Sequence, residues 1–338
     1  MDFLKIILII LLIIIVIYLL VLLFVLKVSY FDVFNRRLKD YQPVYNELIK
    51  KHPDFKHHPY SYINNHNNKI QGEFYYYDLD HYHGLIINAH GMDNCKETQL
   101  ARLEYFARNG YLIYSYDNTG VGESEGKSIV GLGHSVIDLC NTINHLATIT
   151  ALQPMKWALY GHSWGGYAVS CVSNYQLDHD ISAIISKAGF NSVYDEFYFL
   201  GSQKFGKLTK LFVGPIMFFE NLRIKENKHK QSVDGLDKTK ANVLIMHSYD
   251  DPTVGFSITM KKYFPRLANK ENVTFKFFQD RGHVIDQQIN SLGRYYSQHA
   301  EKKDPHYQQH YATLLVKDMD HELVLEQLHF LNKYMIHK

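Results

Sequence analysis

Ser163 stands in GHSWG, residues 161–165, with a glycine at each end of a GxSxG pattern. A serine hydroxyl attacks a carbonyl carbon only when a base takes its proton and donors receive the resulting oxyanion. The chemistry on offer is therefore acyl transfer, and the helpers it needs must come from elsewhere in the chain. The glycines have a steric reading. Where a strand turns abruptly into a helix, the serine is lifted into a strained elbow, and side chains at the flanking positions would collide with neighbouring backbone. The apolar run KWALY supplies the strand, and small Ala168 and Ser170 follow on the helix. His162, inside the pattern, is assigned to packing or hydrogen bonding, because a base must reach the serine from another loop.

Three segments supply the helpers. In INAHGMDN, residues 87–94, a strand ends at His90-Gly91, so the backbone N–H of Met92 and that of Trp164 could converge on one oxyanion. In VLIMHSYDDPTV, residues 243–254, a later strand ends with two candidate acids, Asp250 and Asp251; either could instead cap a helix after Pro252. In FQDRGHV, residues 278–284, His283 follows Gly282 just beyond the last strand and is the candidate base. It is one of 20 histidines, and its order and position single it out.

Such residues need a scaffold that delivers strand ends to one edge. GEFYYYDL, GLIINAHG, GYLIYSYDN, KWALYGHS, ISAIISKAG, ANVLIMHSYD and VTFKFFQD read as strands, several apolar on both faces as in a parallel sheet buried between helices. Helical stretches alternate with them, one around KETQLARLEYFARNG ending at Gly110, and a last one with Val324, Leu328, Leu331 and Met335 on one face. This order predicts an α/β fold with a mostly parallel, doubly wound sheet and its site at the carboxyl ends of the strands. Residues 190–240 exceed what a crossover needs and are rich in Phe and Leu, which suggests a helical lid; the alternative is a crossover with extra surface helices.

With Ser, Asp and His in that chain order, residues 65–338 resemble the α/β-hydrolase superfamily, in the branch of lipase-like esterases and serine peptidase-like hydrolases. The resemblance rests on NAHGMD, YDNTGVGESEG, GHSWGG, HSYDDPTV and RGH, which match the oxyanion loop, the DxxGxGxS loop, the elbow, the acid turn and the base. It implies Ser163, Asp251 and His283 as a triad, since the family's HGxxDxxV acid turn aligned on His247 and Val254 puts the acid at Asp251. Ser248 replaces that turn's glycine, which leaves Asp250 open.

Ile6 to Leu26 are 21 uncharged residues, and as a helix they would span about 31 Å, the thickness of a bilayer core. No small-residue cleavage site follows, so the segment reads as a transmembrane anchor. Lys27, Arg36, Arg37 and Lys39 against Lys5 tilt the positive-inside rule towards a cytoplasmic body. The expected domains are an anchor at 1–27, a juxtamembrane helix or linker at 28–60, and a hydrolase domain at 61–338. Phe31, Phe34, Leu38 and Tyr41 recur at helical spacing, either as an interfacial helix or as a stripe packed on the body.

A net charge of +2, with 21% charged residues, gives no field for nucleic acid, and the lysines of RIKENKHKQ lack interleaved aromatics. Cys95, Cys140 and Cys171 form no CxxC pair, and His81 and His83 lack a third ligand at metal spacing. GVGESEGKS is not a phosphate loop, because Val121 stands where its first glycine belongs. The sequence thus leads to the expectation of a membrane-anchored serine hydrolase. It would cleave an ester or thioester of a lipid-like acyl group without cofactor or metal. The alternatives are a serine aminopeptidase or amidase of the same superfamily and a non-catalytic membrane-bound binding protein.

Overall fold

The computed structural model describes residues 2–38, 44–78, 82–288 and 307–336. Lys39, Tyr41 and His81 lie outside them. Eight strands form one sheet in the order β1-β2-β4-β3-β5-β6-β7-β8. They are β1 Lys56–Ile63, β2 Lys69–Tyr76, β3 Gly84–Ala89, β4 Tyr111–Tyr116, β5 Trp157–His162, β6 Ile181–Lys187, β7 Asn242–Ser248 and β8 Val273–Phe278. β1 and β2 pair antiparallel, as do β2 and β4, and every other neighbouring pair is parallel. β3, β4 and β5 are buried along their whole length, which is why their sequences are apolar on both faces.

Side chains alternate between two cores. Ile87, Leu159 and Ile245 face the layer that holds α5 (His134–Leu146), α6 (Trp164–Cys171) and α10 (Phe256–Leu267). Ile86, Ala158 and Leu244 face α3 (Val44–Leu48), α4 (Leu100–Arg108) and the last helix, His321–Met335, whose Val324, Leu328, Leu331 and Met335 are buried. Gly110 closes α4 at φ +86, a left-handed conformation that glycine adopts without strain. Between β6 and β7 lie three helices, α7 (Val193–Phe205), α8 (Lys210–Arg223) and α9 (Ser232–Lys238), which form the helical insertion over the strand ends.

The first helix, α1 (Asp2–Leu26), runs on through one π turn, Lys27–Phe31, into a short α2, Asp32–Phe34. Among the described residues, Phe3–Phe34 is the one helix long and apolar enough to cross a membrane, a test that a signal sequence also passes. Its end belongs to the globular body. Tyr30, Phe34 and Leu38 are buried, and Leu38 bridges to Val121, so the stripe packs on the body instead of lying free at an interface. Arg37 donates to the carbonyls of Gly126, Gly122 and Ser124, and Arg36 pairs with Asp93 at 3.2 Å. Two charges counted towards sidedness therefore hold the chain's own loops.

β1 begins at Lys56, ahead of the expected boundary at residue 61. β1 escapes a reading by apolar alternation: it is an edge strand containing Pro59, with its first four residues exposed.

Candidate active site

The elbow forms at the end of β5. Ser163 has φ +58 and ψ −118, a conformation that costs an L-residue of order 1–3 kcal/mol and is held by its surroundings. Its amide donates to the carbonyl of Lys187 on β6 at 2.8 Å, and its carbonyl accepts from Tyr167 on α6 at 2.9 Å. The flanking glycines are required by contact. A Cβ on Gly161 would overlap the carbonyl of Gly165, and one on Gly165 would overlap the carbonyl of Ala89 at the end of β3.

That second approach brings the loop after β3 against the serine. A Cβ added to Gly91 would lie 3.4 Å from the Cβ of Ser163. Met92 follows and lines the same pocket as Ser163. Trp164 opens α6, where helix geometry leaves amides without an intrahelical acceptor. Its indole donates to the Leu132 carbonyl at 2.6 Å, fixing the ring. Buried His90 steadies the loop. The Asn118 amide donates to its Nε2 at 3.0 Å, so Nδ1 carries the hydrogen and donates to the Gly91 carbonyl at 2.7 Å. Burial lowers the pKa of His90, which keeps that tautomer neutral. Beneath it, Asp117 of the DxxGxGxS loop accepts from the amides of Lys96 at 2.8 Å and Glu123 at 3.1 Å, and a Cβ at Gly122 would strike its carboxylate.

The turns after β7 and β8 meet. His283 Nδ1 lies 2.9 Å from Asp251 Oδ2 and 3.1 Å from Oδ1. Asp251 also accepts from the amides of Thr253 at 2.8 Å and Val254 at 2.9 Å. Burial alone would raise its pKa, but His283 and His247 beside it hold the carboxyl well below the usual range. Asp250 instead accepts from the Gly282 amide at 2.9 Å and from the Ser248 hydroxyl, tying the turn after β7 to the loop after β8. Ser248, where the resemblance expects glycine, thus has a bonding role.

His162 and His283 bring the elbow and the loop after β8 together. Their ring centroids are 4.7 Å apart, and His162 Nε2 donates to the His283 carbonyl at 2.8 Å. Two groups near the elbow have no sequence motif to announce them. One is a fully buried cluster in which Lys187 binds Asp286, three residues beyond His283, and Arg102 approaches the other oxygen of Asp286 at 3.3 Å. The other is Glu196 on α7, buried at the pocket wall, its Oε2 lacking a hydrogen-bond partner among the described residues. Burial, with Asp251 and Asp195 nearby, pushes its pKa well up.

The pocket that reaches Ser163 has a volume of about 560 Å³. Leu132, Phe190, Phe197 and Ile216 give it apolar walls. Among the described residues, no group of three His, Cys, Asp or Glu could hold a metal ion.

In fold the chain is an α/β-hydrolase, with a serine at the strained turn where hydrolases of this fold carry their nucleophile. Residues 80–234 match the family Hydrolase_4, described as serine aminopeptidase, S33, a segment that contains Ser163 and stops before Asp251 and His283. Solved structures of similar shape are of both kinds. An esterase of Pyrococcus furiosus superposes with TM-score 0.59 at 16% identity, covering 89% of this chain and 97% of its own. An acylaminoacyl peptidase of Pyrococcus horikoshii gives 0.55 at 15% identity and a puromycin-hydrolyzing peptidase of Mycobacterium tuberculosis 0.55 at 16%. The alignments cover 87% and 83% of this chain but 44% and 39% of those peptidases. No curated protein sequence matches the chain.

Proposed function

We propose that this protein is a membrane-anchored serine hydrolase that cleaves an acyl ester or thioester. The observation that carries the reading is the apolar pocket, large enough for an acyl group, with Ser163 in its wall. In this reading Ser163 Oγ attacks the carbonyl carbon and its proton passes to Nε2 of His283, while Asp251 holds Nδ1–H and stabilises the imidazolium. The amides of Met92 and Trp164 receive the oxyanion. Collapse expels the alcohol or thiol with the proton from His283, and water attacks the acyl-enzyme by the same steps in reverse.

The aminopeptidase reading has one observation in its favour: Glu196, at the pocket wall, is a carboxyl with no partner for one oxygen among the described residues. Its raised pKa weighs the other way, because burial favours the neutral acid over the carboxylate that would anchor a substrate ammonium. The test has two parts. Fluorophosphonate labelling should disappear in folded Ser163→Ala, and undiminished labelling would sink the assignment. For the wild type, kcat/KM should rise from acetyl to medium-chain p-nitrophenyl esters and exceed that for aminoacyl amides. Flat efficiency with chain length, together with efficient amide cleavage that depends on Ser163, would favour the peptidase.

A further inference from the structure

The wall of the pocket is built partly from the anchor. Val25, Val28 and Ser29 come from the end of α1 and the π turn, facing Leu200, Phe205 and Phe212 of the lid. The lid continues along the anchor below that level. The Tyr18 hydroxyl donates to the Leu211 carbonyl at 3.0 Å, and its ring stacks on Phe212 with centroids 6.4 Å apart. Tyr18 precedes Lys27 by nine residues, about 13 Å of helix. Lys27, in an exposed ion pair with Asp32 at 2.7 Å, marks where charged side chains resume. The lid edge therefore lies beside the apolar span rather than above it.

The outward residues of that edge suit the position. Phe205, Leu208 and Leu211 are 44%, 63% and 51% exposed. Lys204, Lys207 and Lys210, also exposed, are interleaved with them. Apolar side chains at this spacing can enter hydrocarbon while the lysine stems reach up to lipid headgroups. Exposed apolar surface on this scale calls for a cover. Because the patch is continuous with an exposed span of the same chain, one bilayer covers both.

We infer that the lid edge from Phe205 to Leu211 is immersed in the leaflet nearest the globular body and that the pocket mouth between anchor and lid opens to the hydrocarbon. The substrate class that follows is a long-chain acyl ester resident in the bilayer. Its carbonyl reaches Ser163 while its chain lies between Val28 and the lid. This substrate assignment rests on the reading of Ser163 as nucleophile.

The test uses the full-length chain in phosphatidylcholine vesicles, plain or brominated at mid-chain. Leu208→Trp should be quenched by the brominated lipid beyond the wild type, whose Trp157 and Trp164 set the background, whereas Lys262→Trp on exposed α10 surface should not. An unquenched Leu208→Trp overturns the immersion. Val28→Trp narrows the mouth and should lower the ratio of kcat/KM for a bilayer-resident long-chain ester to that for a soluble acetyl ester by roughly tenfold. No change in the ratio overturns the access route. Ser163-dependent fluorophosphonate labelling in the same vesicles separates the failures. Its absence removes the hydrolase reading and the substrate assignment together, while the depth result stands or falls by quenching alone.

Discussion

The imidazole of His283 faces Asp251 at 2.9 and 3.1 Å, while the preceding carboxylate, Asp250, turns to the amide of Gly282 at 2.9 Å. Neighbours in sequence, the two acids act on opposite ends of the same dipeptide. Asp251→Asn should lower kcat on the order of 10⁴-fold, because an amide cannot hold the Nδ1–H tautomer. Asp250→Asn keeps an acceptor for Gly282 and should cost far less. Kinetics of both variants on one soluble ester check this, and equal losses would contradict it.

His162 gives a signature in acid. Burial, joined by His283 and Lys187, pushes its pKa down to about 3. The unfolded chain takes up this proton near pH 6.5 and the native chain only near 3, so in between unfolding binds a proton and stability falls with pH. The contribution is fully present above about pH 6.5 and lost progressively below, amounting to about 4 kcal/mol near pH 3 at about 1.4 kcal/mol per unit. His162→Gln should be less stable at pH 7, having weakened the bond to the His283 carbonyl, yet show a flatter decline between pH 6 and 4. Denaturant titrations across that range decide it, and parallel curves would argue against the assignment.

Lys187 supports the elbow from below. Its carbonyl receives the Ser163 amide, and its ammonium, fully buried, binds Asp286, Tyr160 and Gln99. Lys187→Met leaves Asp286 with Arg102 as its remaining charged partner and should cost about 3–5 kcal/mol, the usual penalty for breaking a buried pair. The backbone bond to Ser163 survives the change, so the folded fraction should still label with fluorophosphonate. Chemical denaturation in detergent reads the first effect and labelling per folded molecule the second.

What the sequence could disclose follows from where each constraint acts. Ser163, Gly165, Asp251 and His283 sit at strand ends, and the constraints on them act within a few residues, as glycine spacing or as an acid turn. The parallel sheet was readable because β3, β4 and β5 are buried on both faces. The Lys187 and Asp286 pair, 99 residues apart, carries no local pattern, since a buried charge looks like a surface charge until the fold closes. Glu196 and Glu220 were hidden for the same reason. The N-terminal helix was legible as an apolar run, but its merger with the body depends on Tyr30 meeting Glu220, 190 residues away, at 2.9 Å.

That merger sets the outcome of truncation. Most of the span before Leu22 is exposed, whereas Val25, Leu26, Tyr30 and Phe34 are buried, and Tyr30 and Phe34 pack against Phe197 of the lid at ring distances of 6.1 and 6.0 Å. Glu220 links Tyr30 to the Gly133 amide at 2.8 Å, so N-terminal helix, lid and body share one buried carboxyl. Deleting residues 1–21 removes apolar surface that the body leaves uncovered, together with the contacts of Tyr18 to Leu211 and Phe212. In detergent the product should retain stability and hydrolysis of a soluble short ester. Deleting residues 1–34 also removes Tyr30 and Phe34, each worth about 1.5–3 kcal/mol of burial, and leaves Glu220 without its phenol donor. A loss of about 5 kcal/mol should follow, with the lid loosened over Ser163. Thermal unfolding and acetyl ester turnover of the two truncations give the comparison. If the longer deletion were as stable and active as the shorter one, the end of the N-terminal helix would have no structural part in the pocket.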